Sequence, residues 1–254
     1  MRQIVLSIVF VVYTITAYGW GQTGHRVVGQ IAQNHLKATT KKALIEIMGH
    51  ESLVEASTWM DDIKSDSNYK HSRSWHYVNI PNGMTYETST KSKKGDAYEA
   101  TQRMVAILKN KNSHQKEKVE AIRMLVHLVG DFHQPLHVGN GKDQGGNSIK
   151  IRWFSKYSNL HQIWDSGIIN SKQFSYSELA KIIDKSGQKL DKSFYSTDLD
   201  IWVKEAIDLR PQIYDIGDAK NLSYNYSYKN WETVKIQLHK GGLRLAAILN
   251  EIYS

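Results

Sequence analysis

The sequence predicts a mainly α protein, a single-domain bundle of several helices with one short β-hairpin. Three observations lead there. Beyond residue 20 most segments place apolar residues at helical spacing. Strand-like alternation is confined to Ser148–Phe154. No internal repeat or low-complexity linker divides the chain.

The first nineteen residues read as a leader rather than as part of the bundle. Arg2 supplies a positive start, residues 4–12 are almost unbroken apolar chain, and Ala17-Tyr18-Gly19 places small residues where a signal peptidase cuts. The run is too short to span a bilayer, and no later stretch is apolar for long enough. The expectation is a secreted or periplasmic protein cleaved after Gly19, with residues 20–254 as one domain, monomeric and without stable membrane association. An uncleaved N-terminal anchor is the alternative.

Helical spacing then recurs at 27–36 (Val27, Val28, Ile31, Leu36) and at 43–48, after a Thr39-Thr40 cap candidate. Residues 57–62 read as a capped helix end, and Ser74–Pro81 as an extended run. Residues 89–95 (STKSKKG) form a charged surface loop. Residues 97–108 and 118–132 are stronger helices, the latter with a stripe of Val119, Ile122, Leu125, Val126 and Val129, and Pro135 closes it. A glycine-rich loop spans 140–147, ahead of the hairpin. Residues 160–169, 176–190 and 199–209 read as helices. A long helix over 228–253 ends the chain, and its Gly241-Gly242 pair marks either a kink or a close helix contact.

The 254-residue chain contains no cysteine, which removes every thiolate metal site. A metal would have to be held by histidine, carboxylate, backbone or water. A domain of this size does not need disulfides even outside the cell. The formal charge is +8, one less without Arg2, and a basic balance favours polyanionic partners only modestly.

The 11 histidines cluster. In residues 125–137 (LVHLVGDFHQPLH), His127 and Asp131 lie about 40° apart around a helix and one turn along it, so both can face one metal. His133 falls about 240° from His127 on the same wheel. It should not share that face, and its loss should be mild. His137 lies past the proline turn. His161 and Asp165 repeat the His-x-x-x-Asp spacing. Neutral imidazole and carboxylate suit zinc, whereas one such pair alone is equally an ordinary helical ion pair. Trp20 would expose an α-amine and a carbonyl able to chelate a metal after cleavage, with His25 five residues on. A tryptophan packed near a helix start is the plainer reading.

In order, WGQTGH (20–25), STWMDD (57–62), WHYVNIP (75–81), LVHLVGDFHQPLH (125–137), GGN (145–147), NLHQIWD (159–165) and GGLRLA (241–246) resemble the S1/P1 nuclease family of secreted zinc enzymes. The resemblance spans essentially all of residues 20–254 and implies a fold like that of phospholipase C and nuclease P1. It implies three zinc ions. Asp61, His76, His127 and Asp131 would hold the first, and His137, His161 and Asp165 the second. The amine and carbonyl of Trp20 with His25 would hold the third, bridged by Asp131. It further implies that Asp61 orients the attacking water and that Lys64 steadies the phosphoryl oxygens. Tyr77, Asn79 and Asn147 would line a nucleobase pocket.

The implied activity is endonucleolytic cleavage of single-stranded DNA and RNA to 5′-phosphoryl products, with 3′-nucleotidase activity on nucleotides. Two departures stand out. Asn79 replaces an aspartate of the fungal enzymes, which changes the donor and acceptor pattern offered to a base, and the eukaryotic disulfides are missing. A zinc-dependent phospholipase C is the alternative enzyme, and a zinc-storage or adhesion protein the non-catalytic one. The second ligand set has only three side chains, leaving room for water, which argues for catalysis.

Overall fold

The computed structural model describes residues 20–185 and 189–254. The expected leader and residues 186–188, near the end of the expected 176–190 helix, lie outside the described residues. Helix α1 (Gln22–Asn34) turns Val27, Val28 and Ile31 inward. Helix α2 (Ala38–Met48) starts after Lys37, so Thr39 and Thr40 lie inside it rather than capping it, and Thr40 is buried. A reciprocal Ser52–Glu55 box opens the single turn of α3 (Leu53–Ala56), and α4 (Trp59–Asp62) follows Thr58. From Ser67 to His76 the backbone coils in 3₁₀ turns, and only at Tyr77 does it extend into strand β1 (Val78–Asn79). The extended run expected from Ser74 therefore begins three residues late. Side-chain bonds from Ser72 to Tyr69 O and from Trp75 to Lys94 O hold the turns closed.

Asp96 caps α5 (Ala97–Lys109) by accepting from the Tyr98 and Glu99 N–H groups. Helix α6 (Gln115–Phe132) is fully buried from Met124 onward and runs through the middle of the molecule. Past it, Pro135 opens one 3₁₀ turn ending at His137, and β2 (Val138–Gly139) pairs in parallel with β1, Val78 opposite Val138. This pairing is an addition to the expected single hairpin. The hairpin itself is β3 (Lys150–Trp153) and β4 (Lys156–Asn159). Its turn residues Phe154 and Ser155 have φ of 47° and 67°, the primed-turn geometry that matches strand twist.

The 160–169 helix is present as α7 (Leu160–Gln162), a π turn over residues 163–167, and α8 (Ile168–Asn170). Helix α9 (Tyr176–Ile183) ends seven residues before the expected Leu190, at Asp184, whose carboxylate is taken by His35 and Asn34. Helices α10 (Leu199–Asp208) and α11 (Arg210–Ile213) lead to β5 (Asn221–Leu222), which adds to β3 in parallel. Helix α12 (Tyr224–Tyr253) starts four residues earlier than expected, anchored by Tyr226, whose hydroxyl donates to Ile213 O and accepts from Trp164 Nε1.

Helix α12 is unbroken at Gly241-Gly242, so the glycine pair serves a close contact rather than a kink. A Cβ on Gly242 would lie 2.5 Å from the Ile31 Cβ and 3.1 Å from Val28 O. That approach sets α12 along α1, while α5, α12 and α1 cover α6. Each fully buried aliphatic side chain in this core contributes ~1.5–3 kcal/mol. Among the described residues no helix is long and apolar enough to cross a membrane.

Candidate metal centre

The last two turns of α6 bring His127 and Asp131 onto one inward face, as their spacing requires, and both are fully buried. Four imidazoles surround the Asp131 carboxylate. His76 Nδ1 and His127 Nε2 lie 3.0 and 3.3 Å from Oδ2, and His25 Nε2 and His137 Nδ1 lie 3.4 and 3.7 Å from Oδ1. His25 arrives from the first turn of α1 and stacks on His127 with ring centroids 3.8 Å apart. Gly130 makes room for it, because a Cβ there would sit 2.6 Å from His25 Nδ1. Asp61, on α4, completes a set with His76 and His127, its Oδ1 lying 3.9 and 3.6 Å from their ring nitrogens.

The second set adjoins the first through His137. His161 Nε2 is 3.3 Å from Asp165 Oδ2, and His137 Nε2 is 3.8 Å from Asp165 Oδ1. The main chain aims these rings. His127 Nδ1 bonds Ser57 O at 2.8 Å, His161 Nδ1 bonds Gly145 O at 2.6 Å, and His137 Nδ1 bonds His76 O, so each ring turns Nε2 inward. Asp165 sits in the π turn, and the buried Gln134 amide donates to its Oδ1 while accepting from Leu136 N–H at 2.7 Å. Sequence reasoning missed Gln134 and Gly130. Only the proximity of Gln134 to the His-x-x-x-Asp pair marked it.

Three groups can each hold a cation: His25, His127 and Asp131; Asp61, His76 and His127; His137, His161 and Asp165. Donor separations of 3.3–3.9 Å are too long for good hydrogen bonds. They approach the edge of a tetrahedron with ~2.0–2.1 Å metal bonds, about 3.3 Å. Both ring nitrogens of His25, His76 Nε2 and Asp131 Oδ1 are buried without a hydrogen-bond partner. A group of orphaned buried polar atoms of this kind needs a ligand to satisfy it. Residue types, spacing and orphaned atoms thus fit zinc.

The electrostatics agree. Burial opposes charge on His137, but Asp131 and Asp165 outweigh it and raise its pKa to about 9. Burial likewise opposes charge on His127, and Asp131 and Asp61 raise its pKa nonetheless. Burial favours a neutral Asp131, yet His127 and His137 hold its pKa well below the carboxylate range. His76 is driven down to about 4, chiefly by burial. The carboxylates thus favour the protonated form of His127 and His137, while burial keeps His25 and His76 neutral.

His133 lies off this face, as its wheel position requires. It is nonetheless buried, with Nδ1 on Val129 O at 2.7 Å and Nε2 facing Arg244 Nη1 at 3.0 Å. These contacts lead to the expectation of a larger stability cost on its loss than its position off the metal face suggested. Trp20 is fully buried in the core, so the plainer reading of its ring is met. Its backbone still leads to the site, because Gly21 N–H donates to Asp165 O at 2.7 Å, and a Cβ on Gly21 would strike Ser166 Oγ.

The remaining residues lie at the rim. Lys64 Nζ is 2.5 Å from Asp61 Oδ1, so it is joined to the site through that carboxylate. Tyr77 is 42 % exposed. Asn79 follows on β1, its side chain against Gly139 on β2, and Asn147 turns its amide back onto Gln144 O at 3.0 Å. Arg210, which sequence reasoning missed, lies behind them. Its Nη2 donates to Ile80 O, Val138 O and Gly139 O at 2.8–3.0 Å, clamping β1 to β2.

A family model described as S1/P1 Nuclease matches residues 20–254, nearly the whole chain. The chain belongs to the S1/P1 nuclease family. It is 31 % identical over 287 residues to Endonuclease 3 of Arabidopsis thaliana, covering 100 % of this chain and 96 % of that one. It is 28 % identical over 270 residues to Nuclease S1 of Aspergillus oryzae, covering 93 % of each. It is 26 % identical over 269 residues to Nuclease P1 of Penicillium citrinum, covering 92 % of this chain and 98 % of the other. Membership makes the chain a phosphodiester hydrolase acting on nucleic acid, and the mainly α fold is that of an S1/P1 nuclease.

Proposed function

We propose that the protein cuts single-stranded DNA and RNA endonucleolytically to 5′-phosphoryl products, and dephosphorylates 3′-nucleotides, with three bound zinc ions. The observation that carries this reading is the convergence of three His/carboxylate groups around the single carboxylate of Asp131. Asp61, His76, His127 and Asp131 would hold one ion and His137, His161 and Asp165 a second. His25 with the amine and carbonyl of Trp20 would hold the third, after a secretory leader is removed at Gly19. When bound, the ions supply an acidified water and neutralise charge on the phosphoryl oxygens.

The side chains do the rest. Asp61 would accept a hydrogen bond from the attacking water and so orient it. Lys64, beside it, balances that carboxylate and faces the phosphate. Tyr77 offers an exposed ring on which an unstacked base rests, so a paired base must first leave its duplex. Asn79 and Asn147 would line the base edge, Asn147 through its amide oxygen while its NH2 group is held on Gln144 O.

The test uses protein beginning at Trp20, with and without chelator, on single-stranded DNA, the same sequence as duplex, and phosphatidylcholine. Chelator-sensitive cutting of the single strand, with 5′-phosphate ends and about three zinc per chain, is expected. Equal rates on duplex, or preference for the lipid, would overturn the reading.

A further inference from the structure

The loop over residues 89–95 holds Lys91, Lys93 and Lys94 and no acidic residue, and all three lysines are exposed. Its backbone is fastened beside Tyr77. Lys94 O accepts from Trp75 Nε1 at 3.1 Å and Ser74 Oγ at 3.2 Å, and Ala97 N–H donates to Tyr77 O at 3.1 Å. Gly95, at φ +79°, lies so close to the indole that a Cβ would sit 2.9 Å from Trp75 Nε1. One turn earlier, Arg73 donates from Nε and Nη2 to Lys64 O at 3.3 and 2.9 Å. Cations therefore follow the Ser67–His76 turns from Lys64 through Arg73 to Lys93 and Lys94. Two acids nearby have partners of their own. Asp66 accepts from Asn68 N–H, and Glu99 is 3.6 Å from Arg103.

We propose that this flank holds the backbone phosphates of single-stranded nucleic acid outside the catalytic pocket, on the Tyr77 side. The proposal rests on the reading that a strand lays one base on Tyr77. Cations placed to aid solubility alone need no fixed position. These are tied by backbone bonds to the segment that carries the exposed ring, where the phosphates flanking a stacked base must pass. Charge complementarity with a polyphosphate identifies the occupant.

The test compares the zinc-loaded protein with Lys93→Gln/Lys94→Gln, leaving Lys91 in place because its Nζ bonds Ser89 O at 3.2 Å. Binding of a nuclease-resistant phosphorothioate strand about twenty nucleotides long is titrated between ~50 and ~200 mM salt. Each lost phosphate contact lowers the salt slope by about 0.7 for a single strand, so the slope should fall by about 1.4. The wild type's affinity should then drop roughly sevenfold more than the variant's across that range. Cleavage of a dinucleotide, too short to reach the flank, should be unchanged, and Lys93→Arg/Lys94→Arg should restore the slope. Equal slopes in variant and wild type would reduce the loop to a solvated face. Because binding is read without cleavage, failure of the flank is separate from failure of the proposed activity, which shows as no cleavage of any substrate by the wild type.

Discussion

At Asp131 one carboxylate faces the imidazoles of His25, His76, His127 and His137. Removing His127 leaves this buried charge under-compensated and takes a donor from two of the three groups. His127→Ala should abolish cleavage and lose at least one zinc, and breaking a buried charge pair costs ~3–5 kcal/mol. His133→Ala should cost about 2 kcal/mol, because Arg244 loses one partner and a cavity opens. That is roughly 4–8 °C in Tm for a domain of this size, with zinc content kept. Metal analysis and thermal melts of the two variants check both, and equal zinc loss would refute the helix-face assignment. The four-residue spacings were legible because a helix turns them into geometry without help. The roles of Gln134, Gly130 and Arg210 were not, because each depends on a partner from elsewhere in the chain: Asp165, His25, and the carbonyls of Ile80, Val138 and Gly139.

Between elements, α12 approaches α1 closely at Gly242. Gly242→Ala gains helix propensity of about 1 kcal/mol but drives a methyl into Ile31, and overpacking of this kind costs ~1–3 kcal/mol. A net loss of stability is expected on denaturant titration. A stabilised variant would show the helices free to part. The other end of α1 meets the π turn. In a chain with one residue before Trp20, the Trp20 nitrogen is an amide with no lone pair for a metal, whereas a free α-amine of pKa ~7.7–8.0 deprotonates beside a cation. Protein starting at Trp20 should bind one more zinc and cleave faster than protein with one added residue, each N-terminus being confirmed by mass spectrometry. Equal zinc content would limit Trp20 to its place in the core.

Helices were visible wherever one apolar stripe faced the core, as in α5, α6 and α10. Their ends were visible only where the cap is local. Asp96 and the Ser175–Glu178 box lie next to the helices they start. By contrast, α9 stops where Asp184 meets His35, and α12 begins early because Tyr226 is anchored to α11. Those contacts reach across more than ten residues or more than a hundred, and no periodicity records them.

Over the whole molecule, the proposed ions join α1, α4, α6, the 3₁₀ turn ending at His137, and the π turn. At a thousandfold excess over Kd, one site adds about 4 kcal/mol, or roughly 8–16 °C in Tm, and chelation should remove it. The metal-free protein has its own pH dependence. The His137 pKa of about 9 in the folded state lies above its ordinary 6.5, so its contribution is full below pH 6.5 and lost as pH rises through 9. His76, lowered to about 4, contributes above pH 6.5 and loses that as pH falls toward 4. The Tm of chelated protein should therefore peak near neutrality. Zinc needs neutral imidazoles, so the gap between loaded and chelated protein should widen from pH 6 to 8. A gap that narrows would contradict the ligand assignment.

Arg210 binds the strand after His76 to the strand after His137 through three carbonyls, in a chain with no cysteine. The two halves of the site are thus fastened by hydrogen bonds from a guanidinium, which form as the chain folds and need no oxidant. Denatured protein should regain activity on dilution into buffer with zinc alone, equally well with or without a thiol reductant, and Arg210→Lys should lower that recovered yield because an ammonium has one nitrogen where the guanidinium uses Nη2 for the three carbonyls and Nη1 for Asn82 Oδ1.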